Sequence, residues 1–330
     1  MTPRITLFLI MAIFANIALP QQKKAKCGAG PYFQQLLRNH PEIARKRLLM
    51  EQQTANFQES AKKKVIEIPV VVHVLATSIS APENISKEQI YSQIISLNED
   101  FAREGPPYDV GYPAIWAPYY AGDTQIRFCL ATRDPEGNPT SGITRTMTSV
   151  TEFDPMMDNI KFSNMGGKDI WPPDQYMNVW VGRIANYLGY APYPGGPSEF
   201  DGIVIDFEAF GTVGTVVAPY DRGKTLTHEV GHWLNLIHIW GEDISCEEDD
   251  LVADTRLQES PTYQCPETGN CGEGRIMTQN FMNYTVDICN TFFTQGQEKR
   301  MKAVLAPGGL RYPLTQSDRG CREVVWREDD

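Results

Sequence analysis

The sequence TLTHEVGHWLNLIH at residues 225–238 decides the fold. Residues four apart lie on one face of an α-helix, so His228 and His232 can direct imidazole nitrogens at one metal ion. His238 can reach the same ion only if the helix ends before it and the chain turns back. Asn235 lies where that turn is needed, and asparagine tolerates left-handed backbone geometry better than any residue except glycine. The pattern predicts a zinc-binding helix that ends near Asn235.

Glu229 follows the first histidine and is placed to act as a general base. Three neutral imidazoles leave zinc its charge and one open position, which lowers the pKa of a bound water toward about 7. Glu229 can take a proton from that water and return it to the leaving amine of a peptide. The alternative is an amphipathic helix whose histidines cover a core edge, but three buried histidines without a metal would leave many polar atoms unsatisfied. We expect one catalytic zinc ion.

The elements around this helix mix strands with helices. Residues 65–75 are almost all apolar and rich in β-branched side chains, which predicts a buried strand. Ser86 followed by Gln89 predicts the start of a helix. Further strands are predicted at 125–132, 142–147, 177–184 and 202–207, and further helices at 225–236, 295–305 and, in part, 32–55. This order predicts an α/β (α+β) domain.

Composition and charge exclude several classes of protein. With 42% hydrophobic and 22% charged residues, the chain is neither disordered, collagenous nor mainly a coiled coil. A net charge of −11 argues against nucleic acid as a partner. Arg4 precedes an apolar run that ends at Pro20, which is typical of a secretory signal peptide. The alternative is a membrane anchor, but the run is shorter than the ~20 residues a spanning helix needs. We therefore expect a secreted, extracellular protein without stable membrane association.

Three segments follow from the charge distribution. Residues 21–64 carry ten basic and three acidic side chains and end in three lysines suited to a trypsin-like cut. Residues 65–330 are strongly acidic, so Coulomb attraction would favour docking of the basic leader on the acidic body. We predict a signal peptide at 1–20, a basic propeptide at 21–64 and a catalytic domain at 65–330.

Export makes disulfide bonds permissible. The seven cysteines are Cys27, Cys129, Cys246, Cys265, Cys271, Cys289 and Cys321. Four of them lie in the loop-rich stretch 246–289, where two bridges would supply order that packing cannot. Cys129 and Cys321 could form a third pair and leave Cys27 over, although sequence alone does not fix connectivity.

The stretch HEVGHWLNLIH at 228–238 resembles the extended zinc signature HExxHxxGxxH/D of the metzincin metallopeptidases, with Asn235 at the usual glycine. Residues 280–284 (NFMNY) resemble the methionine turn beneath the zinc site in those enzymes. Trp240-Gly241, the four-cysteine stretch, and Met282-x-Tyr284 before Cys289 narrow the resemblance to the pappalysin/cytophagalysin family, over about residues 66–305. It implies a metzincin-like catalytic domain: a twisted, mixed, mostly parallel sheet with an antiparallel edge strand, an active-site helix, a Met-turn and a C-terminal helix.

The resemblance also implies a zinc endopeptidase that acts on proteins or peptides. The implied roles are zinc ligands for His228, His232 and His238, general base for Glu229, hydrophobic base under the metal for Met282, and transition-state stabilisation for Tyr284. The implied disulfides are Cys246–Cys271 and Cys265–Cys289.

A protease that is active inside its own cell is dangerous, so we expect a zymogen inhibited by its own propeptide. Cys27 could place a thiolate on the zinc as a cysteine switch, which occurs among metzincins. The alternative is a disulfide from Cys27 to Cys129 or Cys321. Substrate is expected to lie extended along an edge strand at 187–191.

Two further sites are predicted from acidic residues. The loop after the zinc helix is rich in hard oxygen donors, including Asp250, Asp254 and Thr255, which suits a structural Ca²⁺ ion; the alternative is a solvated acidic loop. Asp287, close behind the Met-turn, could line the primed-side pocket and favour Arg or Lys after the cut bond, or be a surface residue.

The competing functions are a secreted zinc-binding adhesion or binding protein without activity, and a hydrolase of non-peptide amides. Glu229 argues against the first, because a structural zinc site needs no base, and Met282-x-Tyr284 argues against the second. We expect a monomeric enzyme.

Overall fold

The computed structural model describes residues 24–59, 64–104, 114–266, 268–269, 271–272, 274–322 and 324. The expected signal peptide at 1–20, and Lys62 and Lys63 of the expected cut site, lie outside these residues. The described helices are α1 (Ala29–Asn39), α2 (Glu42–Asn56), α3 (Lys87–Ala102), α4 (Lys224–Trp233) and α5 (Gln295–Leu305). The described strands are β1 (Ile66–Ala76), β2 (Ile126–Ala131), β3 (Ile143–Met147), β4 (Met177–Gly182), β5 (Gly189–Tyr190), β6 (Ile203–Asp206) and β7 (Cys321–Arg322).

One mixed sheet organises the described part of the chain. Its strand order is β5-β6-β4-β1-β2-β7, and β3 pairs with the second half of β1. The pairs β1–β2, β1–β3, β1–β4 and β4–β6 are parallel, whereas β5 and β7 pair antiparallel to their neighbours. Strand β1 is central because its sequence IEIPVVVHVLA is almost wholly apolar, as a strand buried on both faces requires. The predicted mixed, mostly parallel sheet with an antiparallel edge strand is confirmed.

The two faces of the sheet carry different helices. Side chains alternate along β6, so Ile203 and Ile205 face the core that holds α3 and α4, while Val204 faces the leader helix α1. α3 begins at Ser86, whose side chain accepts a hydrogen bond from the backbone N–H of Gln89, as the sequence predicts. The leader therefore packs on one face of β6, and the helices of the catalytic body pack on the other face.

The leader departs from the sequence expectation in two ways. The helix expected at 32–55 is two helices, α1 and α2, that are separated near Pro41. Its docking is also not simply a basic segment on an acidic body: Lys24 pairs with Asp206 at 2.6 Å, but Glu51 pairs with Arg300 at 2.6 Å. Specific, partly buried ion pairs attach the leader, and in one of them the leader supplies the acidic side chain.

Three disulfides link cysteines of the described chain: Cys129–Cys321, Cys246–Cys271 and Cys265–Cys289. The two pairings implied by the family resemblance are present, and Cys27 is free and buried. The alternative of a disulfide at Cys27 is therefore wrong. Within the described residues, no helix combines the length and apolar character needed to cross a bilayer.

Candidate metal centre

The helix α4 ends where the third histidine requires it to end. Asn235 has φ of +77°, and the N–H groups of Asn235 and Leu236 donate to the carbonyls of His232 and Gly231 at 2.9 and 2.8 Å. This is a Schellman ending with asparagine in the left-handed position. The chain reverses there and brings His238 back over the helix, so α4 ends at Trp233 and not at residue 236 as the periodicity indicates.

The three histidines converge on one point. The Nε2 atom of His232 lies 3.1 Å from the Nε2 atom of His228 and 3.1 Å from that of His238. In two of the histidines the other ring nitrogen binds a backbone carbonyl. Nδ1 of His228 donates to the Phe281 carbonyl at 2.7 Å, and Nδ1 of His232 donates to the Leu236 carbonyl at 2.8 Å. The protons of His228 and His232 are thus assigned to Nδ1, and their Nε2 lone pairs face one another.

This donor set fits zinc. Facing lone pairs repel unless a cation lies between them, and three imidazole nitrogens with an open fourth position form a typical catalytic zinc environment. Burial and the neighbouring His238 lower the pKa of His232 to about 3. Burial and the other two imidazoles hold the pKa of His228 well below its usual range. The rings of His228 and His232 are therefore held neutral, which is the state that binds a metal.

Glu229 lies beside the three rings on α4. It is fully buried, and neither carboxylate oxygen has a hydrogen-bond partner among the described residues. Burial raises the pKa of this carboxyl to about 8, against the opposing effects of the Cys27 thiol and the Lys26 ammonium. An unpartnered buried carboxylate is costly in a structural role, so its environment suits proton transfer.

The methionine turn lies directly under α4. A Cβ atom added at Gly231 would lie 2.4 Å from the Met282 sulfur, so the helix and the turn approach closely because residue 231 is glycine. Tyr284, two residues further on, places its ring 4.9 Å from the His238 ring and 5.7 Å from the His228 ring, measured between centroids. Met282 thus lies against α4, and Tyr284 lies beside two of the three histidines.

The leader covers the site along strand β5. Two backbone hydrogen bonds join the leader to this edge, both at 2.9 Å. The leader's Gly28 N–H donates to the Gly189 carbonyl, and the Leu188 N–H donates to the carbonyl of Ala25 in the leader. The sulfur of Cys27 joins the histidine nitrogens, since all four ligand atoms lie within 4.8 Å of one another. Burial and the neighbouring Glu229 raise the pKa of the Cys27 thiol. The Tyr284 hydroxyl donates to the Cys27 carbonyl at 3.2 Å.

Asp287 faces the same leader segment. It is 1% exposed, its Oδ2 accepts the Arg222 backbone N–H at 2.8 Å, and its Oδ1 has no hydrogen-bond partner among the described residues. Lys26 is also 1% exposed and donates to the Thr285 carbonyl at 2.6 Å. Burial lowers the pKa of Lys26 to about 8, and the charge of Asp287 opposes that shift. Asp287 is therefore a buried carboxylate whose charge acts on the Lys26 ammonium, and not a surface residue.

The acidic loop is only partly drawn together. Asp250 is buried, with Oδ1 accepting the Thr255 hydroxyl at 2.6 Å and Oδ2 without a hydrogen-bond partner among the described residues. Burial raises the pKa of Asp250 to about 7. Asp254 instead accepts the Thr294 hydroxyl at 2.7 Å and the Gly296 N–H at 2.9 Å, at the start of α5. In the described part of the chain, the cluster of His, Cys, Asp and Glu donors at the histidines does not include these aspartates.

Three residues of the site escape sequence reasoning. Glu242 lies four residues beyond His238, with 3.5 Å between its Oε1 and the histidine Nδ1, and Tyr193 donates to the same oxygen at 2.5 Å. The i, i+4 spacing of His238 and Glu242 was the available signal, although no helix connects them. Lys26 was visible only as one of ten basic leader residues.

Comparisons with known proteins agree with this geometry. The family model Peptidase_M43, described as pregnancy-associated plasma protein-A, matches residues 162–306. An extracellular metalloprotease of Arthroderma otae is 30% identical over 248 residues, covering 72% of this chain and 76% of its own. One of Pyricularia oryzae is 28% identical, covering 91% of this chain and 95% of its own.

Solved structures extend the likeness. A promirolysin mutant of Tannerella forsythia is 40% identical with a TM-score of 0.80, covering 88% of this chain and 97% of its own. Mature mirolysin of the same organism, in complex with a cleaved peptide, is 43% identical with a TM-score of 0.73, covering 77% and 97%. The predicted extracellular location is confirmed by the relatives. The chain belongs to the pappalysin family of metzincins and is a zinc metalloendopeptidase.

Proposed function

We propose that His228, His232 and His238 bind one catalytic zinc ion and that Glu229 is the general base of peptide hydrolysis. The observation that carries the proposal is the convergence of three Nε2 atoms, with that of His232 lying 3.1 Å from each of the other two, beside a buried carboxylate that has no hydrogen-bond partner among the described residues. Such a carboxylate is available to accept a proton.

Each side chain has a separate task in this mechanism. Zinc, when bound, polarises the scissile carbonyl and makes a water molecule more acidic. Glu229 accepts the proton of the attacking water and donates it to the leaving nitrogen, and burial favours this transfer by raising its pKa. Met282 packs against Gly231 and supports the helix that carries two of the histidines.

Tyr284 is proposed to donate a hydrogen bond to the oxyanion. Its hydroxyl already donates to a carbonyl oxygen, that of Cys27, at 3.2 Å. A carbonyl of the substrate would take that place once the leader has left. A donor held there before the reaction stabilises the developing charge without reorganisation.

We propose that substrate pairs with the edge strand at Leu188 and Gly189. Both residues use backbone groups to bind the leader, at 2.9 Å in each case. The bridge between Ala25 and Tyr187 is parallel, and β5 is antiparallel to β6. A substrate can therefore use the same donors and acceptors after the leader is removed.

The chain is proposed to be a zymogen whose residues 21–64 are a propeptide. Cys27 brings its sulfur into the histidine cluster, where a thiolate would displace the catalytic water. The leader also blocks the edge strand, and a structural neighbour is a promirolysin. Residues 1–20 are proposed as the signal peptide and 65–330 as the catalytic domain. The expected monomeric state stays a prediction that light scattering would test.

Asp287 is proposed to select a basic side chain after the scissile bond. In the latent protein its carboxylate interacts with the buried Lys26 ammonium, which comes from the residue next to Cys27. A basic substrate side chain could replace Lys26 in the same pocket. A charge-assisted pair in a buried site is selective for Arg and Lys.

A structural calcium ion is proposed at Asp250. Its Oδ2 is buried and has no hydrogen-bond partner among the described residues, so a cation bound there would compensate the carboxylate. The Thr255 side chain lies beside the other oxygen at 2.6 Å. Asp254 contributes less directly, since both of its oxygens already accept hydrogen bonds.

The decisive experiment combines metal analysis with digestion. The full chain and its Glu229→Ala variant would be purified, activated with trypsin, freed of trypsin, and given casein with and without a chelator. We expect one zinc per chain in both proteins, with chelator-sensitive digestion only by the wild type. Absence of zinc, or equal digestion by both proteins, would contradict the proposal.

A further inference from the structure

The three histidines are oriented in two different ways. His228 and His232 lie within α4, and their Nδ1 atoms donate to backbone carbonyls at 2.7 and 2.8 Å. These carbonyls belong to the Met-turn and to the chain just after α4. His238 lies beyond the helix, where no helical geometry fixes its ring. Its orientation must come from its own neighbours.

The Nδ1 atom of His238 faces a side chain. The distance from this atom to Oε1 of Glu242 is 3.5 Å, and the same oxygen accepts the Tyr193 hydroxyl at 2.5 Å. Trp240 stacks on the imidazole, with 4.4 Å between ring centroids and 8° between ring planes. The stack restrains the plane of the ring, and the carboxylate lies on its Nδ1 side, where it favours a proton on that nitrogen.

Tyr193 holds the carboxylate in place. Its side chain is buried, whereas 32% of the Glu242 side chain is exposed. A partly exposed glutamate on a loop has several rotamers, and a short hydrogen bond from a buried phenol restricts it to one. Tyr193 also packs edge-on against His232, with 5.3 Å between ring centroids. One tyrosine therefore contacts one ligand directly and reaches another through Glu242.

A carboxylate in this position has a known physical effect. It fixes the tautomer and the orientation of a metal-binding imidazole and makes the imidazole a stronger donor; losing it typically weakens metal binding about 10- to 100-fold. We infer that Glu242 is a positioning residue that orients His238 toward the zinc ion, and that Tyr193 orients Glu242. This inference rests on the zinc site proposed above.

The test measures zinc affinity in the full chain. Every protein carries Glu229→Ala, so that self-digestion cannot interfere, and zinc alone is titrated into the metal-free chain against a competing chelator. Glu242→Ala is expected to raise the zinc Kd about 10-fold or more. Glu242→Gln, which keeps an acceptor oxygen, should raise it less, and Tyr193→Phe should raise it in the same direction. Asp243→Ala removes the next carboxylate along the chain and should leave the Kd unchanged.

The outcomes separate positioning from mere folding. A structural role alone would lower the melting temperature of the metal-free chain and leave the zinc Kd unchanged, which would overturn the inference. If Glu242→Ala does not fold, Tyr193→Phe decides, because it removes only one hydroxyl: an unaltered Kd refutes the inference. If the Glu229→Ala parent binds no zinc at all, the proposed metal site fails first and the inference with it.

Discussion

Asp287→Asn tests the proposed specificity pocket by removing one charge and almost no volume. Asparagine keeps an oxygen that can accept the Arg222 N–H, which Oδ2 of Asp287 now accepts at 2.8 Å. The local backbone should therefore persist. The substitution removes the negative charge that stabilises a buried cation. In the latent protein that cation is the Lys26 ammonium.

The magnitude follows from burial. Asp287 and Lys26 are each 1% exposed, so water screens their interaction little. Losing one partner of a buried ion pair costs about 3–5 kcal/mol, which is the cost expected for a substrate cation that pairs with Asp287. In the latent protein the Lys26 ammonium also binds the Thr285 carbonyl at 2.6 Å, and a substrate cation that keeps this second partner would lose only the lower amount. At about 1.4 kcal/mol per factor of ten, kcat/KM for a basic substrate should fall about 100-fold.

The assay uses two quenched fluorescent peptides that differ only in the residue after the scissile bond, arginine or norleucine. In matured Asp287→Asn, kcat/KM should fall for the arginine peptide and change little for the norleucine peptide. Asp221→Asn, a nearby carboxylate outside the described contacts with Lys26, should preserve the wild-type ratio. An equal loss for both peptides, or an unchanged ratio, would refute the reasoning.

Three further predictions concern other parts of the site. Cys27→Ser should give protease activity before the leader is removed, measured on the secreted full chain with a fluorescent peptide; unchanged latency would remove the cysteine switch. Tyr284→Phe should lower kcat about 100-fold or more with little change in KM, because one oxyanion donor is lost; a rise in KM alone would instead assign the tyrosine to ground-state binding. If calcium binds at Asp250, added calcium should raise the melting temperature of the wild type, and Asp250→Asn should abolish that rise and leave the zinc Kd unchanged. A wild-type melting temperature that does not change with calcium would contradict the site.

The position at which helix α4 ends could be predicted from a single residue. Asn235 is one of the few non-glycine residues that accepts φ of +77° cheaply, and the third histidine made a turn there necessary. The strands were also predictable in kind, because β-branched runs such as residues 66–76 fit a sheet buried on both faces. Their parallel order, in contrast, came only from the family resemblance.

The leader shows where local reasoning stops. Its net charge suggested docking by attraction, yet Glu51 pairs with Arg300 across 249 positions of the chain. Proline at position 41 was a visible signal for a break between two helices, since proline interrupts a helix interior. No pattern in the sequence indicated that Glu51 would pair with Arg300.

By itself, the sequence determined which three histidines come together in one cluster, because four-residue spacing and one left-handed turn are local properties of the backbone. Tertiary structure alone decided what surrounds them. The Phe281 carbonyl that orients His228 comes from 53 residues away, and the Thr285 carbonyl that binds Lys26 comes from 259 residues away. Such contacts depend on how the sheet and its loops pack in three dimensions, and chain spacing carries no record of that packing.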